Sequence, residues 1–264
     1  MKPYNFNAIQ GTIFLGGFLL FLIFELIRPY RPSSVAKTKR LLINLSLTVL
    51  NSIILYALFS AVTASTASYV TENRMGVLNM LDLPQWFHIF LTILFMDFML
   101  YVWHLLNHNV PLFWRFHRVH HSDLNMDVST ATRFHIGELM ISAVIKIGLI
   151  YFIGAKLLSM AIFESMLVLT IQFQHSSLKA PEWFERIFWI FFVPPSMHRI
   201  HHSVKIRERN TNYGTILSVW DRMFGTLIRG IDQGKIVIGV GAYREPGQLD
   251  LHHLLLMPFT KAIE

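Results

Sequence analysis

Residues 7–27, about 41–62 and about 86–106 are apolar runs, each close to the roughly 20 residues an α-helix needs to cross a hydrocarbon core. Two shorter runs, 139–153 and 157–173, are separated only by Gly154-Ala-Lys. They predict either a tilted hairpin of two spans or a shallow re-entrant hairpin. What is left over argues against a water-soluble globule. Only 15% of residues are charged and 53% are hydrophobic, against about 25% charged in ordinary soluble domains. The chain therefore reads as an all-α, multi-pass integral membrane bundle.

Charge orients it. Lys and Arg number 23 against 16 Asp and Glu, a formal net charge of +7. The excess borders apolar segments, which is the pattern of cytoplasmic loops rather than of a nucleic-acid surface. Arg28, Arg31, Lys37, Lys39 and Arg40 follow the first run, so this loop is expected in the cytoplasm. Residues 63–85, read as a loop, hold one basic residue, Arg74, opposed by Glu72 and Asp82, and are expected outside. Lys2 is a lone charge, and the amino terminus does not read as a cleaved signal. Residues 183–193 form a short aromatic stretch expected to lie in the interface.

The chemistry lies in the histidines. Cysteine is absent, which rules out thiolate metal sites, iron–sulfur clusters and a cysteine nucleophile. Of thirteen histidines, eight fall into three motifs. His104 and His108 form H-x-x-x-H at the end of the third run. His117, His120 and His121 form H-x-x-H-H, and His198, His201 and His202 repeat it. Positions i, i+3 and i+4 share a helix face, so each motif predicts a stripe of imidazoles. Ser196, after Pro194-Pro195, is a candidate N-cap for the last stripe. Eight imidazoles are too many for one tetrahedral ion and natural for two. Imidazole suits iron, zinc, copper and nickel. The spans and stripes together give a helical membrane bundle with a cytoplasmic, histidine-rich helical cap.

Other residues are candidates by position. His135 and His175 lie at the right depth to join the ligands. Asp97, inside the third run and seven residues before His104, is placed to accept the second ring N–H of a ligating histidine. Asp221 is a further carboxylate of this kind, with Asp123, Asp127 and Glu138 as weaker ones. His88, at the opposite end of the third run, is expected to be interfacial, and His252 and His253 to be surface residues.

Asp97-Phe-Met-Leu-Tyr-Val-Trp-His104 through His108, Leu112-Phe-Trp-Arg-Phe-His117-Arg-Val-His120-His121, Thr130-Ala-Thr-Arg-Phe-His135-Ile-Gly-Glu138, Met197-His198-Arg-Ile-His201-His202 and Asn212-Tyr-Gly214 through Thr226 occur in that order. This ordered set resembles the fatty acid hydroxylase and sterol desaturase superfamily of membrane di-iron enzymes. The resemblance implies two iron ions held by histidines, with His175 and His135 added to the eight, and O2 as co-substrate. It implies hydroxylation or desaturation of a membrane lipid, with electrons from a separate reductase and no nucleic-acid partner. It also implies membrane-spanning helices over 1–96, a catalytic domain over 97–226 that includes a membrane hairpin at about 139–173, and a cytoplasmic tail over 227–264. Many members have Arg and Pro where this chain has Leu105 and Ile136; neither is a ligand position. A bacterial inner membrane, with the active site cytoplasmic, is the expected location. The alternative from the residues is a zinc-dependent membrane lipid hydrolase, although no H-E-x-x-H motif is present. A metal transporter would place its ligands nearer the bilayer middle.

Overall fold

The computed structural model describes residues 3–59 and 62–261. It is helical throughout, and among the described residues three isolated antiparallel bridges take the place of any strand. The membrane part is built from α1 (Pro3–Ile27), α2 (Lys37–Phe59), α3 (Val62–Glu72), α4 (Gln85–Asn109), α6 (Ile136–Ile153) and α7 (Leu157–His175), with α5 (Pro111–His121) between α4 and α6. Phe6–Ile27, Lys37–Met80, Gln85–Asn109, Ile136–Ile153 and Leu157–His175 are each long and apolar enough to cross a membrane. Side chains such as Leu19, Leu20, Ile23 and Ile53 point away from the protein, as helices facing lipid require.

The helix α3 corrects the loop expected over residues 63–85. Its buried face is Ala64, Ala67 and Val70, and these small residues let its backbone approach α6 closely. A run with alanines and threonines has a weak apolar signal, which is why it reads as a loop in sequence. The hairpin α6–α7 turns at Gly154, whose φ of +77° closes α6 in the left-handed conformation. Gly76, at φ +85°, sits against it. A Cβ on Gly76 would lie 2.2 Å from the Gly154 nitrogen, and one on Gly154 would lie 2.7 Å from the Met75 carbonyl oxygen. The two glycines thus lock the hairpin tip to the turn after α3.

At the other end the bundle is closed by polar and aromatic pieces. They are α5, a 3₁₀ turn (Val128–Thr132), α8 (Glu182–Phe191), α9 (Pro195–His201), α10 (Ile206–Arg209), α11 (Val219–Met223) and α12 (Leu251–Leu256). The end of α1 is tied to the end of α7 through Tyr30 N to Ser177 O, 2.7 Å, and Lys179 N to Arg28 O, 3.1 Å. The helix α8 buries none of its residues and presents Trp183, Ile187, Ile190 and Phe191 outward. Residues 227–261, expected as a tail, pack into the body: Ile236, Ile238, Leu249, Leu254 and Met257 are buried. Arg118 of α5, fully enclosed, donates to the carbonyls of Met257, Thr260 and Lys261.

Candidate metal centre

Four helices bring nine histidines together in two groups. His104, His108, His117, His121 and His201 form one, and His120, His175, His198 and His202 the other. Within each group the candidate ligand nitrogens lie within 4.8 Å of one another. His104 and His108 end α4, His175 ends α7, and the two H-x-x-H-H motifs lie on α5 and at the end of α9. The predicted stripes fork. His117 and His121, four apart, enter the five-histidine group, while His120 enters the other. In the second motif His198 and His202 stay together and His201 crosses over. Successive helical residues are about 100° apart, so the i+3 and i+4 rings diverge while i and i+4 stay aligned. Each H-x-x-H-H motif thereby serves both groups.

Ring orientation follows from partners on the Nδ1 side. His104 Nδ1 lies 2.8 Å from the Tyr213 carbonyl, His201 Nδ1 2.8 Å from that of Thr211 and His175 Nδ1 2.8 Å from that of Ile171. His117 Nδ1 lies 2.9 Å from Glu138 Oε1, and His108 Nδ1 3.3 Å from Asn210 Oδ1. A ring that donates from Nδ1 presents the Nε2 lone pair to the interior. Those nitrogens converge: His117 and His121 at 3.2 Å, His120 and His175 at 3.0 Å, His175 and His198 at 2.9 Å, His198 and His202 at 3.1 Å. Two imidazoles adjacent on an ion at about 2.1 Å would hold their nitrogens about 3.0–3.4 Å apart. The donor sets therefore fit metal ions in both type and spacing. His108 Nε2 and His201 Nε2 are buried without a hydrogen-bond partner, as ligand atoms would be.

Electrostatics keeps the rings competent. Burial, then the neighbouring imidazoles, pushes His120, His121 and His201 well below the usual histidine range. The same causes act on His198 and His202. These rings are neutral near pH 7, the form that can bind a cation.

The carboxylates take different parts from those expected. Asp97 does not meet a histidine ring. It accepts from Ile216 N at 3.0 Å, Leu217 N at 3.1 Å and Trp220 Nε1 at 2.8 Å. Asp221 accepts from Tyr213 N and Gly214 N, both at 2.8 Å, and from Thr226 Oγ1 at 2.6 Å. Both fix the 213–220 segment, and that segment's Tyr213 carbonyl meets His104. The correction has a simple cause: the backbone carbonyl is closer to the ring than the carboxylate two turns down the helix. A Cβ on Gly214 would fall 2.8 Å from Asp221 Oδ2, so this close approach needs glycine. Glu138, a weaker candidate in sequence, is, among the described residues, the one carboxylate hydrogen-bonded to a ring of the two groups.

Asp123 and Asp127 belong to a buried network instead. Arg40 pairs with Asp123 through Nε at 2.6 Å and through a second nitrogen at 2.8 Å, and with Asp127 at 2.8 Å. Arg133 joins it, donating to Asn44, Ser122 and the Val119 carbonyl. The network fastens α2 to the turn after His121. Arg40 read as a loop cation in sequence; the polar Asn44 one turn on was the available signal that this face is buried.

The remaining histidines stand apart. His135 is outside both groups; it caps α6, its Nδ1 accepting from Gly137 N at 2.9 Å. His88, expected at the interface, is buried beside Thr92 and Ser159. His253 is exposed and pairs with Asp250 at 2.8 Å, and His252 is exposed beside it. Ser196 is not an N-cap, because α9 starts one residue earlier; its hydroxyl accepts from Trp189 Nε1 at 2.8 Å.

Comparison with known proteins agrees with this geometry. No solved structure gives a significant match. Ornithine lipid hydroxylase of Rhizobium tropici is 31% identical over 146 residues, 54% of this chain and 42% of its own length. Human alkylglycerol monooxygenase is 26% identical over 202 residues, 74% of this chain and 43% of its own. Cholesterol 25-hydroxylase of Rattus norvegicus is 24% identical over 169 residues, 63% of this chain and 55% of its own. The chain thus spans about half the length of these relatives. The family model for fatty acid hydroxylases matches residues 89–226, a stretch that contains all nine grouped histidines. On that match, the chain belongs to the fatty acid hydroxylase family.

Proposed function

We propose that this protein is an O2-dependent membrane lipid hydroxylase, or desaturase, whose two histidine groups each hold one iron ion. The observation that carries the reading is the pair of buried, nitrogen-only groups with converging Nε2 atoms. Bound iron would supply O2 activation and the power to break an unactivated C–H bond. In hydroxylation one oxygen atom enters that bond and the other leaves as water, with two electrons and two protons from an electron-transfer protein. The named lipid hydroxylase and monooxygenase relatives support a lipid substrate.

The chain's own residues hold and shield this chemistry. His104, His108, His117, His121 and His201 bind one ion, and His120, His175, His198 and His202 the other. His135 lies outside and is proposed only as the cap of α6. Asp97 and Asp221 act by holding the Tyr213 carbonyl on His104. Eight of the nine rings are buried and His104 is half-buried, which limits water at both groups. The basic stretch Arg28–Arg40 is bonded to the same end of the bundle as His175, which supports a cytoplasmic centre. A zinc hydrolase would need a carboxylate base beside the ion; Glu138, which meets the five-histidine group, is bonded to a ring nitrogen.

The test is metal content after purification from iron-rich, zinc-poor medium. About two irons per chain are expected, one for each group, with loss of iron and of O2-dependent lipid oxidation in His120→Ala and His201→Ala. Two zincs under those conditions, or activity retained in either variant, would overturn the assignment.

A further inference from the structure

A groove of about 390 Å³ runs along α4 on its lipid side. One wall is Leu91, Leu94, Phe95 and Phe98; the opposite wall includes Trp220 and Phe224. The only polar side-chain atom among the lining residues is Trp220 Nε1, and it is spent on Asp97 at 2.8 Å. The groove therefore offers hydrocarbon contacts alone. It lies within the Gln85–Asn109 apolar segment, so what reaches it comes from the bilayer interior.

The groove also points somewhere. Leu91, Leu94, Phe98, Tyr101, His104 and His108 follow one another at i+3 or i+4 and form one stripe of α4. Phe98 precedes His104 by six residues, about 9 Å along the axis. Rings bridge that interval. Phe98 lies 5.0 Å from Trp220 and 5.9 Å from Phe224 between centroids, and Phe224 lies 5.5 Å from Tyr101. Tyr101 is 6.3 Å from Tyr213, which is 5.8 Å from His104 and 5.3 Å from His108. Tyr101 is buried and its hydroxyl is fixed on Thr226 at 3.1 Å, so its ring stands as a wall between groove and histidines.

The geometry points to this groove as the seat of a lipid's long alkyl or acyl chain, with Tyr101 setting how far the chain reaches toward the five-histidine group. The substrate role rests on the hydroxylase reading; occupancy of the groove does not. The test uses the full-length protein in phosphatidylcholine vesicles doped with a phospholipid whose chain ends in a diazirine, followed by photolysis and mapping of adducts. Adducts should concentrate on Leu94, Phe98 and Met223, several-fold above those on Leu19 and Leu20, which are more exposed than Leu94 and Phe98. Leu94→Trp, and Met223→Trp at an exposed position, should lower the groove adducts several-fold with iron content unchanged. Tyr101→Leu should move adducts onto Tyr213. Even labelling of α1 and α4, or labelling that ignores the filling substitutions, would overturn the groove. So would a second copy of the chain seated there and excluding the probe. Adducts that stay at Phe98 in Tyr101→Leu would remove the wall role. Groove labelling without O2-dependent oxidation would sink the hydroxylase reading and spare the groove; oxidation with even labelling would do the reverse.

Discussion

The two histidine groups are alike in composition and unlike in support. In the five-histidine group four rings, His104, His108, His117 and His201, are held from behind by a carbonyl, an amide or a carboxylate. In the four-histidine group only His175 is held in this way. Nδ1 of His120, His198 and His202 has no protein partner among the described residues. A ring fixed in tautomer and angle before binding loses less freedom when it binds, and a hydrogen bond to its far nitrogen makes it more basic. The difference teaches that two ions in one protein need not be equally committed to it. On the proposed two-ion reading, the five-histidine group would be the tight site and the four-histidine group the exchangeable one.

The largest expected effect tests that ranking directly. During chelation of the iron-loaded protein, metal should leave in two phases, the fast one carrying about one ion per chain from the four-histidine group. A single phase would erase the distinction. Glu138→Gln then sharpens it. Removing the carboxylate behind His117 should weaken the slow site by about 10- to 100-fold and leave the fast phase unchanged; an effect on the fast phase instead would reverse the assignment. Asp97→Asn is the smallest. Its carboxylate holds backbone and Trp220 rather than a ring, so the thermal midpoint should fall by an amount worth about 1–3 kcal/mol while iron affinity moves only a few-fold. A tenfold loss of iron affinity at unchanged stability would put Asp97 back behind a ligand.

These distinctions show what a sequence can carry. The spans were legible because a bilayer demands long apolar runs, and the eight motif histidines because helical spacing turns i, i+3 and i+4 into neighbours. His175 was legible as a candidate because it ends an apolar run, and it joins the four-histidine group. The fork of each motif was not legible: whether i+3 or i+4 turns to one ion or the other depends on where the facing helix sits. Nor were the carbonyls of Thr211 and Tyr213, because every residue owns a carbonyl and no side chain marks the useful ones. Asp97 misled for the same reason, being the visible acceptor where the actual acceptor is backbone. The helix α3 was hidden by the small residues that let it pack.

The Arg118 guanidinium bears on how the protein is made. It sits between His117 and His120 on α5, yet its partners are the carbonyls of Met257, Thr260 and Lys261, more than a hundred residues downstream. The ribosome delivers these two segments far apart in time. Until residue 261 has emerged, Arg118 lacks these acceptors, which hold the helix that feeds both histidine groups. On the proposed metal reading, loading is expected to follow completion of this segment, as a step of maturation rather than of synthesis.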